Sequence, residues 1–415
     1  MNDHPDPTGP AGLSALLDDA TAWVERPDLA GAALAGARRR RRRRRGLATG
    51  AVAAAAVAAV LVTPLGGALL TDSPPAGVGP TIAPSADPTS PGAEPVDAAP
   101  LQPEDVQQPW DPDDVEQLPW DGALGLPRDL TIGQGPAERG AARAATAVDG
   151  TLHLLGPSGW YTGADLPAGV GTDPTVAIAP DGSRTAVVGG SVLAVSSPDG
   201  WTSLPLPRGF SGAEDFYVDL DFVGADRLLL GEWNRFWEID ASSGEAVRLP
   251  FDRIDEVVPA GDAVLADRYS DARPNTLELW REGQVEAVGD TSALESTQRP
   301  ASDAASLATV RANGATYGEG DATDTDGLLV LGLADLSVRG FLPVPTRGSY
   351  YSDSANLTPL GFTDPDTVLA EVRPAGSPET TWLVTWDVES GALRKVASFP
   401  TDQPQLSLAI DAIPG

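Results

Sequence analysis

The chain has 415 residues, with 28 basic and 59 acidic side chains, a formal net charge of −31, no cysteine and only two histidines. Without cysteine there is no disulfide framework, no thiol nucleophile, no lipidated N-terminal cysteine and no thiolate zinc site, and two histidines are too few for a multi-histidine zinc or iron centre. The charge is unevenly spread: residues 1–45 hold nine arginines and six acids, leaving 19 basic and 53 acidic residues beyond them, so the larger part repels nucleic acid at long range and no nucleic-acid partner is expected.

In the N-terminal segment, Leu13, Leu16, Leu17, Ala20 and Val24 fall at i, i+3, i+4, i+7 and i+11, one face of a helix that Pro27 ends. One amphipathic helix of about four turns cannot bury its stripe alone. The face formed by Leu13, Leu16, Leu17 and Val24 therefore calls for a cytoplasmic protein, a second copy or the inner leaflet, the alternative being a weakly structured tail.

Eight arginines follow, Arg38, Arg39, Arg40, Arg41, Arg42, Arg43, Arg44 and Arg45, and abut the uncharged stretch 46–70. At about 1.5 Å per residue a helix over this stretch reaches roughly 37 Å, against a hydrocarbon core of about 30 Å. The positive-inside rule places 1–45 in the cytoplasm, 46–70 across the cell membrane and the remainder outside. A cleaved signal peptide is the rival reading, but its apolar region usually spans about 7–15 residues behind a short basic segment, whereas this one follows 45 residues of patterned sequence. Residues 71–127 carry 13 prolines in 57 positions and read as a stiff, disordered stalk. Within it Pro109-Trp110-Asp111 recurs as Pro119-Trp120-Asp121, and two tryptophans in so polar a setting are expected to dock on the folded domain or to serve as a motif for another protein.

From 128 to 415 the pattern becomes short β runs punctuated by turns, and it repeats. A hairpin returns six times: Leu152 to Pro167, Val192 to Pro207, Phe236 to Pro250, Leu277 to Val288, Leu328 to Pro345 and Trp382 to Pro400, with turns at Ser158-Gly159, Asp199-Gly200, Ser243-Gly244, Glu282-Gly283 and Ser390-Gly391 in five of them. A period of roughly 40–55 residues belongs to propellers. A second strand pair precedes most hairpins, as in Thr175 to Ala179 and Arg184 to Val188 around Pro180-Asp181-Gly182, where Asp-Gly marks a tight turn. The first repeat lacks an innermost strand, and the run Leu406 to Ile410 at the other end lacks a partner. Circular closure solves both. The expectation is an all-β propeller of six, or alternatively seven, blades over 128–415.

The segment Ala177-Ile178-Ala179-Pro180-Asp181-Gly182-Ser183-Arg184-Thr185-Ala186 resembles the Ser-Pro-Asp-Gly strand pair of WD40-like propellers of the TolB type, with Ala179 in place of the usual Ser. The resemblance implies a fold and not a function. The order of segments also resembles bacterial single-pass proteins found with extracytoplasmic-function sigma factors, although the zinc-binding His and Cys pair of their cytoplasmic domain is missing. Lys395 is the only lysine, and Ala, Gly and Pro abound, a usage similar to that of high-GC bacteria such as actinobacteria.

Chemistry is thinly signalled. His153 is the only histidine past residue 4 and falls on a β run, where a structural role is expected over a Ser-His-Asp triad. Asp321, Asp324, Asp326 and Gly327 make an acidic loop that fits an EF-hand poorly, with Ala322 and Leu333 where carboxylates are needed. Trp233 and Trp237, in one turn, and Tyr350 and Tyr351, in a loop before a blade, are the candidate ligand or partner contacts, with packing between blades as the alternative for the tryptophans. No metal or cofactor is expected. The function expected from sequence is non-enzymatic: an anchored propeller that binds an extracytoplasmic ligand or envelope protein, with its cytoplasmic helix available to a partner. The alternative is an extracytoplasmic propeller enzyme acting on glycan or peptide.

Overall fold

In the computed structural model the apolar runs pair into six antiparallel sheets, each packed on the next around a common axis. The structure describes residues 96–413 except 134–140, 198–199, 212–217, 233–234, 252–255, 271–272, 295, 313–325, 345–350, 352–355 and 404–405. The leader face of Leu13, Leu16, Leu17 and Val24, the run Arg38 to Arg45 and the stretch 46–70 lie outside the described residues. Among the described residues no helix is long and apolar enough to cross a membrane.

From the axis outward, blade 1 is Ser407–Leu408, Ala144–Val148, Thr151–Gly156 and Gly159–Thr162, and blade 2 is Thr175–Ile178, Thr185–Gly189, Val192–Ser197 and Gly200–Leu204. Blade 3 runs through Val218–Val223, Arg227–Glu232, Arg235–Asp240 and Ala246–Arg248, and blade 4 through Glu256–Ala260, Ala263–Ser270, Arg273–Arg281 and Gln284–Asp290. Blade 5 is Ser296–Ser302, Ser306–Ala312, Gly327–Gly332 and Val338–Pro343, and blade 6 is Leu357–Asp364, Thr367–Val372, Thr380–Asp387 and Leu393–Pro400. The count is six. Ser296–Ser302 carries no apolar alternation, and its pairing skips a register between Gln298 and Ala301, which explains why sequence pattern alone did not find it.

Turn chemistry fixes these hairpins locally. Asp181 Oδ1 accepts from the N–H (2.9 Å) and the hydroxyl (2.7 Å) of Ser183, and Gly182 follows at φ +71°. A Cβ at Gly182 would stand 2.2 Å from the carbonyl oxygen of Ala142 in blade 1, so the turn also sets how closely two blades approach. Between blades, Arg184 pairs with Asp226 at 3.6 Å, Arg227 donates to the Asp262 carbonyl and Arg339 pairs with Asp366.

The ring closes in blade 1, as the unpaired terminal run implied. Leu408 pairs with Ala144 and Ser407 with Ala145, antiparallel. Ala409 N–H donates to the Arg143 carbonyl at 2.9 Å, and Leu406, Ala409 and Ile413 are buried. Blade 1 thus joins the strand Ser407–Leu408 to the first three strands of the repeat, Ala144–Val148 to Gly159–Thr162.

The stalk expectation needs correction in its second half. Residues 71–95 lie outside the described residues, but 96–132 runs along the outer edges of blades 4, 5 and 6 as a strap. Val96–Asp97 pairs in parallel with Gly289 and Asp290, Val106 bridges Phe341, Trp120 bridges Lys395, and Asp129 bridges Ser398. Trp110, Val115, Leu124 and Leu130 are buried beneath it. Gln107 is clamped from both ends, donating to the Val388 carbonyl (2.5 Å) and accepting from the Trp386 indole (2.7 Å). A Pro-rich strand fits here because an outer edge needs pairing on one side only, and the ordered unit therefore begins at least 30 residues before 128.

Candidate functional site: the axial cavity

The first strands of all six blades, or the turns just after them, line an axial cavity of about 280 Å³. Its wall is unusual in composition. Pro180, Pro259, Pro300 and Pro359 come from blades 2, 4, 5 and 6, and among the described residues no lysine, arginine or histidine lines it. Proline is tolerated in a sheet where its missing N–H would face away from the neighbouring strand. Here that direction is the channel for Pro259 and Pro359, whereas Pro180 lies in the turn after its strand; the Pro180 and Pro259 carbonyls accept from the Ala412 N–H and the Ser302 hydroxyl.

Three carboxylates, Asp221, Asp303 and Asp411, stand on the wall. Asp221 sits in the alternating strand Val218–Val223, on the face opposite buried Leu220 and Phe222. Asp303 closes the turn after Ser296–Ser302, its Oδ1 accepting from the N–H groups of Ala305 (2.7 Å) and Ser306 (2.6 Å). Asp411 lies in the short 3-10 turn Ile410–Ala412 of the closing segment, whose Ala412 N–H donates to the Pro180 carbonyl at 3.0 Å. Of the wall hydroxyls, Ser302 donates to the Pro259 carbonyl (2.7 Å) and Ser407 accepts from the Ile178 N–H (3.1 Å). The third, on Thr358, is buried and has no hydrogen-bond partner.

Of the aromatic candidates, Trp237 and Tyr351 are among the described residues, and both are interior. Trp237 is a core side chain, edge-on to Phe210 at 6.1 Å and with the Arg235 guanidinium 5.9 Å from its ring. Tyr351 is 1% exposed; its hydroxyl donates to Asp113 of the strap and accepts from the Ala375 N–H, both at 3.3 Å. Both are interior because each blade must present a large apolar face to its neighbour. Trp233 and Tyr350 lie outside the described residues. His153 is on the strand Thr151–Gly156, off the cavity wall, and partial burial lowers its pKa. Asp326 is buried, while Asp321 and Asp324 lie outside the described residues. Among the described residues no group of three or more His, Asp or Glu is placed to hold a metal. Sequence reasoning missed the cavity carboxylates. The available signal was the prolines inside β runs, each marking a strand with one side open.

No family model matches the chain, and no curated protein matches its sequence. Solved propellers do. The β-propeller domain of the Trilobed protease from Pyrococcus furiosus, described as having an open velcro topology, is 14% identical over 63% of this chain and 83% of its own, with a TM-score of 0.38. The acylaminoacyl peptidase of Pyrococcus horikoshii is 15% identical over 60% of this chain, with a TM-score of 0.38; the match spans 41% of the peptidase's length. A likeness of this degree extends to no individual residue and to no activity, and the count of six blades comes from the sheets themselves. The non-enzymatic expectation from sequence is set aside, since both similar structures belong to peptidases, but the likeness itself assigns no activity to this chain.

Proposed function

We propose that the chain is a hydrolase of peptides that works at the axial cavity, held outside the cell by an N-terminal membrane anchor. The cavity itself carries the reading: all six blades contribute to its wall, and among the described residues its ionisable groups are the carboxylates of Asp221, Asp303 and Asp411. Among the described residues the wall carries no imidazole or amine to serve its hydroxyls as a base, and water activated by a carboxylate is the nucleophile that fits. One carboxylate takes a proton from water as the oxygen adds to the peptide carbonyl carbon; a protonated carboxyl returns a proton to the departing amine. Among the described residues the wall's aromatic rings are Phe222 and Phe362, both buried, and neither is the flat Trp or Tyr platform that a sugar ring stacks on, which favours peptide over glycan.

The test is turnover of a fluorogenic peptide library by the full-length chain solubilised in detergent. Peptide cleavage is expected, with kcat lowered about 100-fold or more in Asp221→Asn or Asp411→Asn; absence of turnover by the native chain overturns the proposal. The anchor rests on Arg38 to Arg45 beside residues 46–70. A reporter fused after Gly415 is expected to be active only outside the cytoplasm, and cytoplasmic activity would sink that part of the reading.

A further inference from the structure

The strap meets the outermost strands of three neighbouring blades at a regular interval. Val96, Val106 and Trp120 pair in parallel with Gly289, Phe341 and Lys395, in blades 4, 5 and 6, so each new edge is reached after 10 and then 14 residues. The edge before these in the ring is the outermost strand of blade 3, Ala246–Arg248. Its backbone can accept a further strand. The Asp240 N–H donates to the Glu245 carbonyl and the Leu249 N–H to the Phe236 carbonyl, both at 2.9 Å; in this antiparallel ladder Val247 therefore pairs inward, and the N–H and C=O groups of Ala246 and Arg248 point outward. All three residues are exposed, and among the described residues no strand pairs with them on that side. Val247 is 52% and Val96 37% exposed, and they are the only large apolar side chains so open among the described residues. Both flank the junction of blades 3 and 4: a Cβ added at Gly283, in the turn of the outer hairpin of blade 4, would stand 3.9 Å from Val247, and Val96 pairs with Gly289 on the strand that follows that turn. Long-lived proteins rarely leave such an edge bare.

We propose that the chain's own N-terminal continuation covers this edge: Thr81, Ile82 and Ala83, outside the described residues, add in parallel to the outermost strand of blade 3 with Ile82 over Val247, so that the strap spans four blades. The spacing names the occupant. A step of 10 to 14 residues back from Val96 lands on 82–86, and Ile82 is the only large apolar residue in 79–95. Thr81, Ile82 and Ala83 keep their N–H groups between Pro80 and Pro84. The chain from Ile82 to Val96 reaches up to roughly 45–50 Å, well beyond the length of about 20 Å of the strand Gln284–Asp290 that it must pass. The inference is independent of the activity and of the anchor proposed above.

The chain has no cysteine, so an introduced pair can be oxidised without competition. In the full-length protein in detergent, Ile82→Cys with Val247→Cys is expected to form a disulfide within one chain at several-fold higher yield than Ile82→Cys with Thr202→Cys, whose second thiol sits on the exposed outermost strand of blade 2. Equal yields in the two pairs, or no bond in either, overturn the proposal. A bond between chains, seen as a dimer on a non-reducing gel, gives the edge to a second copy and overturns it as well. Hydrogen exchange supplies a reading that needs no thiol. The amides of Ala246 and Arg248 are expected to exchange at least about tenfold more slowly in the native chain than in Ile82→Asp, with the strand Arg227–Glu232 of the same blade unchanged. The same rate at Ala246 and Arg248 in both chains removes the pairing.

Discussion

The ammonium of Lys395, the only lysine in the chain, lies 4.9 Å from the ring centroid of Trp120 and donates to the Glu116 carbonyl. Arg128 covers the same indole at 4.7 Å, and Trp382 packs against it at 6.1 Å. Cation–π contacts of this kind contribute about 0.5–2 kcal/mol each, more as they are desolvated. Their position matters as much as their strength, since they pin the strap to the outermost strand of blade 6.

Trp120→Ala is therefore expected to cost about 2 kcal/mol and to free the strap before the propeller melts. Limited proteolysis should cut within 106–128 in the variant under conditions where the native protein resists, and an unchanged digestion pattern would mean that the strap is held elsewhere.

Ring closure can be tested at both of its halves. Deleting residues 406–415 removes the innermost strand of blade 1 and leaves the Ala144–Val148 edge unpaired, so the propeller should lose its cooperative melt or aggregate. Gly361→Ala is the milder probe. Gly361 has φ +150° and an added Cβ would stand 2.3 Å from the Ile410 side chain, a cost of about 1–3 kcal/mol that calorimetry would register as a lower Tm.

Acid should destabilise the fold through its turn aspartates. Asp181, Asp240 and Asp335 are held below the ordinary carboxylate value of 3.8 first by hydrogen bonds from serine hydroxyls, and Asp387 first by the Ser390 N–H. In the window below about pH 4 the unfolded chain binds more protons than the native one, so stability rises with pH there. The contribution is complete above the unfolded pKa and disappears as pH falls through the lower native values. Asp240→Asn with Asp387→Asn keeps acceptors in both turns and removes their titration; its melting temperature should fall less steeply between about pH 4 and 2. A slope identical to that of the native chain would refute the assignment.

Tyr351 makes the opposite prediction at the alkaline end. Burial pushes its phenol above the ordinary value of 10.0, with the Asp113 carboxylate adding to the effect. The native state therefore disfavours the phenolate, and stability complete below about pH 10 is lost as pH rises past it. In an absorbance titration of the native protein, Tyr351→Phe should leave the tyrosinate step up to about pH 11 unchanged. In urea it should remove one of the six tyrosines from that step. A smaller native step in the variant would show that Tyr351 ionises normally.

Where partners were neighbours in the chain, the sequence alone determined the outcome. Asp181-Gly182 specifies its turn because the carboxylate reaches Ser183, two residues on, and each outer hairpin is set by contacts across a few residues. Circular closure was legible as well, since a blade short of one strand and a terminal β run without a partner leave a single arrangement that satisfies both backbones. Tertiary structure decided the rest. Trp237 and Tyr351 carry the same local signature as binding aromatics, and only the packing of one blade on the next makes them core. Residues 96–127 read as stalk because their prolines and acids dominate composition, while their backbone and side-chain partners, Gly289, Phe341, Trp386, Val388 and Lys395, lie about 190 to 280 residues further along the chain. The cavity was least visible of all. Asp221, Asp303, Thr358 and Asp411 share no local pattern, and they meet because ring closure brings the ends of six first strands, one per blade, to the same axis.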